Sequence, residues 1–148
     1  MKTLRPILLL VAALLLSLSA AQAENNWLTD FPKAQAEAKT QHKLLLVNFT
    51  GSDWCPWCLR LEREVFAKPE FQNYAKDHLV LFMADFPRAK SLSTEVRKQN
   101  RELAERFSVE GFPTIIVLNA EGKPIAELGY LPGGATAFVD QLKKLPQS

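Results

Sequence analysis

The residues best suited to chemistry are two cysteines, Cys55 and Cys58, and the chain has no others. With two residues between them at the start of a helix, their sulfurs can approach bonding distance in a small ring. Free N–H groups and the helix dipole at a helix N-terminus favour a negative charge, so we expect the first cysteine to form a reactive thiolate. The spacing therefore predicts Cys55 as the nucleophile and Cys58, one turn further on, as a more buried resolving thiol.

Aromatic residues accompany the cysteines, in the order Trp54-Cys55-Pro56-Trp57-Cys58. We expect Trp54 to pack on the protein. We expect Trp57 to be partly exposed beside the sulfurs, where it would offer an apolar patch to unfolded or extended substrates.

Other polar residues have ordinary structural interpretations. We expect Asp53 and Asp85 to be solvated or to cap turns rather than to act in catalysis. We expect His42 and His78 to lie at the surface, because neither stands at a metal-ligand spacing from the cysteines. A solvated, charged helix face is expected from Arg60, Arg63 and Glu64, and a cation on it could help to stabilise a thiolate.

Apolar patterns predict the elements that position these residues. Buried strands are predicted over residues 44–49, 79–84 and 114–118, and a hairpin turn leads to an amphipathic strand over 124–128. The predicted helices cover residues 33–41, 55–66, 70–76, 94–107 and 135–145. This order predicts an α/β domain with a mixed central sheet of about four strands and helices on both faces. Strands separated by helices are expected to be parallel and the last two antiparallel.

The first 23 residues differ from the rest. Lys2 and Arg5 precede an apolar run over residues 7–16, and Ala21-Gln22-Ala23 has the small-x-small form of a cleavage site. We therefore expect a cleavable signal peptide over 1–23 and a domain over 24–148, exported to a periplasm or secreted, where disulfides form. The alternative, an uncleaved membrane anchor, has fewer apolar residues than the roughly 20 that a spanning helix needs.

The composition, 47% hydrophobic and 23% charged, is that of a soluble globular domain. It excludes the disordered, collagen-like and coiled-coil classes. The chain has 18 basic and 16 acidic residues, and loss of Lys2 and Arg5 with the leader would balance the charges. We therefore expect no nucleic-acid partner. A monomer is expected, because the chain has no long extra segment of the kind that a dimerising isomerase uses.

These features resemble the thioredoxin superfamily over essentially the whole mature chain. The matching segments follow one another as the strand 44–49, the Trp-Cys-x-x-Cys turn, Gly111-Phe112-Pro113-Thr114 and the hairpin 119–122. The closer similarity is to exported thioredoxin-like disulfide isomerases and reductases. It is carried by Trp27, Lys43–Ser52 and Asp85-Phe86-Pro87.

The resemblance implies a thioredoxin fold with a cis Phe112–Pro113 peptide beside the cysteines. It implies that the backbone of Phe112 pairs with an extended substrate, that Pro113 shapes the groove and keeps metals away, and that the loop at Leu131-Pro132 borders the site. The candidate substrate-binding residues are thus Trp54, Pro56, Trp57, Phe112 and Pro113.

One departure concerns proton transfer. Well-known members carry a buried carboxylate on the strand before the motif, which accepts the proton of the resolving cysteine. Here that strand carries Asn48, which cannot act as a base at neutral pH. Water, Asp53 or Glu62 would have to take that role.

The resulting prediction is a thiol–disulfide oxidoreductase of the cell envelope that reduces or isomerises disulfides in exported client proteins, without cofactor or metal. A reductase outside the cytosol needs electrons, so a membrane protein that delivers them is the expected partner. The same site could run in reverse as a disulfide donor, although Trp57 supplies no cation to stabilise the thiolate. Two further hypotheses are a Cu or Zn module built on the two thiolates and a non-catalytic binding protein.

Overall fold

Four strands form one mixed sheet in the computed structural model, which describes residues 27–146. The strands are ordered β2-β1-β3-β4. Their bounds are β1 Leu44–Thr50, β2 Leu79–Asp85, β3 Thr114–Leu118 and β4 Pro124–Leu128. The predicted signal peptide over 1–23 lies outside the described residues.

One expected strand direction is wrong. β1 and β2 are parallel, and β3 and β4 are antiparallel, as predicted, but β3 runs antiparallel to β1. Asp85 at the end of β2 pairs with Thr50, and Thr114 at the start of β3 pairs with Phe49. The connection between β2 and β3 therefore begins and ends beside the carboxyl end of β1. β3 starts at that end and runs in the direction opposite to β1.

Five helices lie within the described residues, close to the predicted ranges. They are α1 Phe31–Gln41, α2 Pro56–Leu61, α3 Pro69–His78, α4 Thr94–Arg106 and α5 Gly134–Lys143. α2 is shorter than predicted because the chain continues as a π-helical turn over Glu62–Phe66. Proline occupies the first turn of α1, α2 and α3, where its missing N–H costs no helical hydrogen bond. None of the helices within 27–146 is long and apolar enough to cross a membrane.

The strands bury alternate side chains on the two faces of the sheet. Leu44 and Leu46 pack in a core with Leu61, Val65 and Phe138, from α2, the π-helical turn and α5. On the opposite face a second core, beneath α1 and α4, contains Phe31, Leu45, Val47, Phe49 and Leu103. The predicted layers are confirmed. They place the start of α2 beyond the carboxyl end of β1 and next to the start of β3.

Candidate active site

The two cysteines lie together at the start of α2. Cys55 is the N-cap residue, and its Sγ accepts a hydrogen bond of 3.2 Å from the backbone N–H of Cys58. The cysteines form a disulfide, with their Cα atoms 5.2 Å apart. The expectation that Cys58 is the more buried is wrong in this oxidised state, since each residue is 4% exposed. Because the disulfide holds the two sulfurs together, the two cysteines are buried to the same extent.

The turn between β1 and Cys55 requires a glycine. A Cβ atom on Gly51 would lie 2.5 Å from the Trp54 ring, so no larger residue fits without displacing the tryptophan. The carbonyl of Gly51 accepts hydrogen bonds from the N–H groups of Trp54 and Cys55, at 3.2 and 2.9 Å. Gly51 therefore fixes both the tryptophan and the first cysteine.

Trp54 packs on the protein, as predicted. Its Nε1 donates a 2.7 Å hydrogen bond to the carbonyl of Phe86. The guanidinium carbon of Arg88 lies 3.8 Å from the centre of the Trp54 ring. The Trp54 ring meets that of Phe112 edge to face at 6.1 Å, and Phe86 stacks on Phe112 at 4.9 Å. The loop after β2 thus joins Trp54 to the residue before Pro113.

Two aspartates hold this loop against the active-site turn. Asp85 is buried and accepts hydrogen bonds from the N–H and hydroxyl of Ser52, at 3.0 and 2.7 Å. Asp53 is exposed and accepts from the N–H groups of Arg88 and Ala89. These bonds, that from Arg88 above all, lower the pKa of the Asp53 carboxyl below its ordinary value. Both aspartates therefore serve the structure of the turn, as expected, although Asp85 is not solvated.

Trp57 lies on the other side of the cysteines and is 52% exposed, in agreement with the prediction. Its ring lies 5.1 Å from that of Tyr130. The guanidinium of Arg60 lies 5.5 Å from the centre of the Trp57 ring and 5.1 Å from that of Tyr130. Trp57 therefore packs on Tyr130 and Arg60, and about half of its surface remains open to solvent.

Glu64 binds two members of this group. Its carboxylate accepts a 2.6 Å hydrogen bond from the Tyr130 hydroxyl and a 2.8 Å bond from Arg60 Nε. The bond from Tyr130, followed by that from Arg60, lowers the pKa of Glu64, and the same contacts raise the pKa of Tyr130 and of Arg60. The expectation of a solvated face is confirmed for Arg60 and Arg63, which are exposed, whereas Glu64 is half-buried and bonded to Tyr130 and Arg60. The sequence analysis did not identify Tyr130 as a residue of this site. The one indication in the sequence was its position next to Leu131-Pro132, in the loop expected to border the active site.

Phe112 and Pro113 lead into β3 beside the end of β1. The peptide bond between them is cis, and both residues are half-buried. Pro56, the first residue of α2, is exposed. Of the candidate substrate-binding residues, Trp54 and Phe112 touch each other, while Pro56 and Trp57 lie along α2.

Beneath α2, Asn48 is 4% exposed and its Oδ1 atom has no hydrogen-bond partner within the part of the chain that is described. It lies in β1 on the face of Leu44 and Leu46, which pack against the active-site helix. Glu62 follows α2. Although this residue reaches the surface, partial desolvation raises the pKa of its carboxyl. Among residues 27–146, no three His, Cys, Asp or Glu side chains gather as a metal site.

The model of a family described as the thioredoxin-like domain matches residues 31–145, a range that contains both cysteines and the cis proline. The chain belongs to the thioredoxin-like family. Its intact Cys55–Cys58 disulfide gives this family member the redox pair of a thiol–disulfide oxidoreductase.

The relatives include enzymes of disulfide exchange. "Disulfide bond reductase DsbH" of Chlamydia pneumoniae is 37% identical over 83% of this chain and 74% of its own length. "Thioredoxin-related protein DsbJ" of the same organism is 31% identical over 80% of the chain, and "Thiol:disulfide interchange protein DsbD" of Photorhabdus laumondii is 30% identical over 83%. The chain spans 37% of the length of that DsbJ and 20% of that DsbD.

Solved structures agree with the family assignment. A structure titled "DsbH Oxidoreductase" superposes with a TM-score of 0.75 at 35% identity, over 86% of this chain and 90% of that one. A disulphide isomerase from Xylella fastidiosa superposes with a TM-score of 0.59 at 20% identity, over 87% and 99% of the two chains, which shows the fold alone. The predicted thioredoxin fold is confirmed.

Proposed function

We propose that this thioredoxin-like protein is a disulfide reductase that acts on exported client proteins. The observation that carries the proposal is the position of Cys55, whose Sγ caps α2 and accepts the N–H of Cys58. When the disulfide is reduced, that N–H and the helix dipole stabilise a thiolate at Cys55. This stabilisation makes Cys55 the attacking sulfur and does not set the direction of electron flow. The direction, from this protein to the client, is supported by the similarity to a protein named disulfide bond reductase.

The proposed reaction has two displacements. The Cys55 thiolate attacks one sulfur of a client disulfide, forms a mixed disulfide and expels the other client sulfur as a thiolate, which takes up a proton. The Cys58 thiol loses its proton and attacks Cys55 Sγ, which breaks the mixed disulfide and releases the second client thiol. The client thus gains two electrons and two protons, and the Cys55–Cys58 disulfide forms.

The surroundings of the pair suit an extended client. We assign the backbone of Phe112 to pairing with the client strand and Pro113 to shaping the groove. Trp57 offers an open apolar surface beside the disulfide, and Pro56 lies exposed between the cysteines. We assign Trp54 to the opposite wall of the groove. Client side chains next to the reacting sulfur would contact these residues.

The proposed compartment is the periplasm or the exterior, reached through a signal peptide over residues 1–23. Each turnover leaves the protein oxidised, so a second dithiol must return two electrons to it. We assign this step to a membrane protein with a reduced cysteine pair, because the cytosolic thiol pool does not reach an oxidising compartment. The similarity to a protein named for thiol:disulfide interchange supports such a chain of exchanges.

Asn48 makes the proton acceptor for Cys58 a separate question. An aspartate at this buried position would be hard to ionise, so it would titrate at a higher pH than a free carboxyl. If the position exchanges protons with Cys58, the Asn48→Asp variant should show a changed pH dependence of disulfide reduction. An unchanged pH profile would show that Asn48 does not occupy the site of the family's carboxylate. In the wild type the acceptor would be water, Asp53 or Glu62.

The proposed function is tested by trapping the client. The reduced Cys58→Ser variant should form a stable mixed disulfide with a disulfide-containing protein, because the second displacement is blocked. The matched Cys55→Ser variant should form almost none, and the wild type should release reduced client. Equal trapping through either cysteine, or no client reduction by the wild type, would contradict the proposal.

A further inference from the structure

A cavity of about 350 Å³ adjoins the Trp54 side of the active site. It lies between the loop that follows β2 and one face of α4. Its lining contains four cationic side chains, namely Arg88, Lys90, Arg97 and Arg101.

The lining contains one acid, Asp85, and that acid is already bound. Asp85 accepts two hydrogen bonds from Ser52 and pairs with Lys90 at 3.1 Å. The lining also includes the buried Asn100, whose Nδ2 donates to the backbone carbonyl of Asp85 at 3.0 Å. The charge of Asp85 is thus balanced, and the three arginines have no further carboxylate in the lining.

The other charges of α4 do not fill the cavity. Glu102 pairs with Lys98 at 3.7 Å, and neither residue belongs to the lining. Glu95 interacts electrostatically with Arg97 but also stands outside the lining. Arg97 and Arg101 are four residues apart, so they lie on one side of the helix, and both residues line the cavity.

The cavity shares two residues with the wall of the active site. Arg88 stacks on Trp54 and Phe86 stacks on Phe112, and both also line the cavity. A guanidinium stacked on a ring through its face keeps its in-plane N–H donors available. A polypeptide that lies along Phe112 therefore has a continuous path over Phe86 into the basic cavity.

Resting on the proposed function, we propose that this cavity binds the carboxylate side chains of an acidic segment that flanks the disulfide of the client polypeptide. Guanidinium groups bind carboxylates with two parallel hydrogen bonds, which suits arginine for this role. Such contacts would steer acidic clients to the site and hold them while Cys55 reacts. The cavity thus selects clients, and the cysteines carry out the exchange.

The test compares two disulfide-bearing peptides of one sequence, one with several glutamates near its cysteine and one with glutamines at the same positions. The full chain is reduced and separated from the reductant, and the second-order rate constant of its oxidation is measured with each peptide and with hydroxyethyl disulfide, a small neutral substrate. We expect a preference for the acidic peptide that falls about threefold to tenfold in the Arg97→Gln/Arg101→Gln variant, as expected for two partly exposed charge pairs. The preference should also shrink as salt is raised, because the Debye length falls from about 10 Å at 0.1 M to about 3 Å at 1 M.

Two further variants separate the cavity from general effects of charge. Lys98→Gln removes a cation from the same helix outside the lining and should keep the preference, and Arg97→Lys/Arg101→Lys should keep most of it. Equal rates on the two peptides in the wild type would overturn the proposal. So would an equal effect of Lys98→Gln, or a loss on the neutral peptide as large as on the acidic one. Failure of the proposed function itself would appear separately, as no reduction of hydroxyethyl disulfide above that of Cys55→Ser.

Discussion

The two tryptophans beside the cysteine pair differ in how they are held. Trp54 is half-buried, bonded to the carbonyl of Phe86, covered by Arg88 and in contact with Phe112. Trp57 is 52% exposed and touches only side chains, those of Arg60 and Tyr130, in the contacts the structure records. Trp54 is bonded to the backbone of the loop after β2, and Trp57 packs on the side chains of Arg60 and Tyr130 at the surface.

This difference indicates a division of work. A ring held through the backbone and packed against Gly51 fixes the turn that presents Cys55. The exposed part of the Trp57 ring is apolar surface that a client could bury on binding. Trp54 thus preserves the geometry of the site, while Trp57 is available for binding, and the predictions below can break this distinction.

The largest expected effect on stability is that of Trp54→Ala. This variant removes the hydrogen bond to Phe86, the contact with Arg88 and the packing on Gly51. We expect the free energy of unfolding to fall by about 2–4 kcal/mol, somewhat less than for a fully buried tryptophan. Denaturant unfolding of the oxidised protein measures this change, and a loss no greater than that of Trp57→Ala would remove the distinction.

The Trp57→Ala variant should act on binding more than on stability. We expect the free energy of unfolding to fall by about 1 kcal/mol, the size of one exposed aromatic and one cation–π contact. The value of kcat/KM should fall several-fold for an unfolded protein client and much less for a small disulfide. Steady-state reduction of both substrates, with a dithiol reductant supplied to return electrons to the protein, measures this. Equal losses on the two substrates would argue against a client surface at Trp57.

The smallest expected effect on stability is that of Glu64→Gln, because Glu64 bonds Tyr130 and Arg60, the two residues on which Trp57 packs. The pKa of Glu64 lies below its ordinary value of 4.5, so its stabilising contribution is present above that pH and is lost as the pH falls through the lower folded value. Glu64→Gln should therefore be slightly less stable than the wild type at neutral pH, and the difference should vanish in acid. Unfolding experiments across pH measure it, with Glu110→Gln as a control at an exposed glutamate. A difference that does not change with pH would contradict the assigned hydrogen bonds.

The sequence was informative where patterns are local. The apolar strands, the proline-started helices and the cysteine pair follow from neighbouring residues, and the exposure of Trp57 followed from its place between the cysteines. The direction of β3 did not, because it depends on where the α4 connection ends in space. The bond between Tyr130 and Glu64 joins residues 66 positions apart, so no local pattern indicates it.

The reduction potential of the Cys55–Cys58 pair tests the central claim most directly. The protein would be equilibrated in glutathione buffers and followed by tryptophan fluorescence, since Trp54 and Trp57 flank the disulfide. The proposed reductase predicts a potential near that of thioredoxin, about −270 mV. A potential near about −120 mV, typical of a strong periplasmic oxidant, would make the protein a disulfide donor and contradict the account. The absence of any redox transition would contradict it as well.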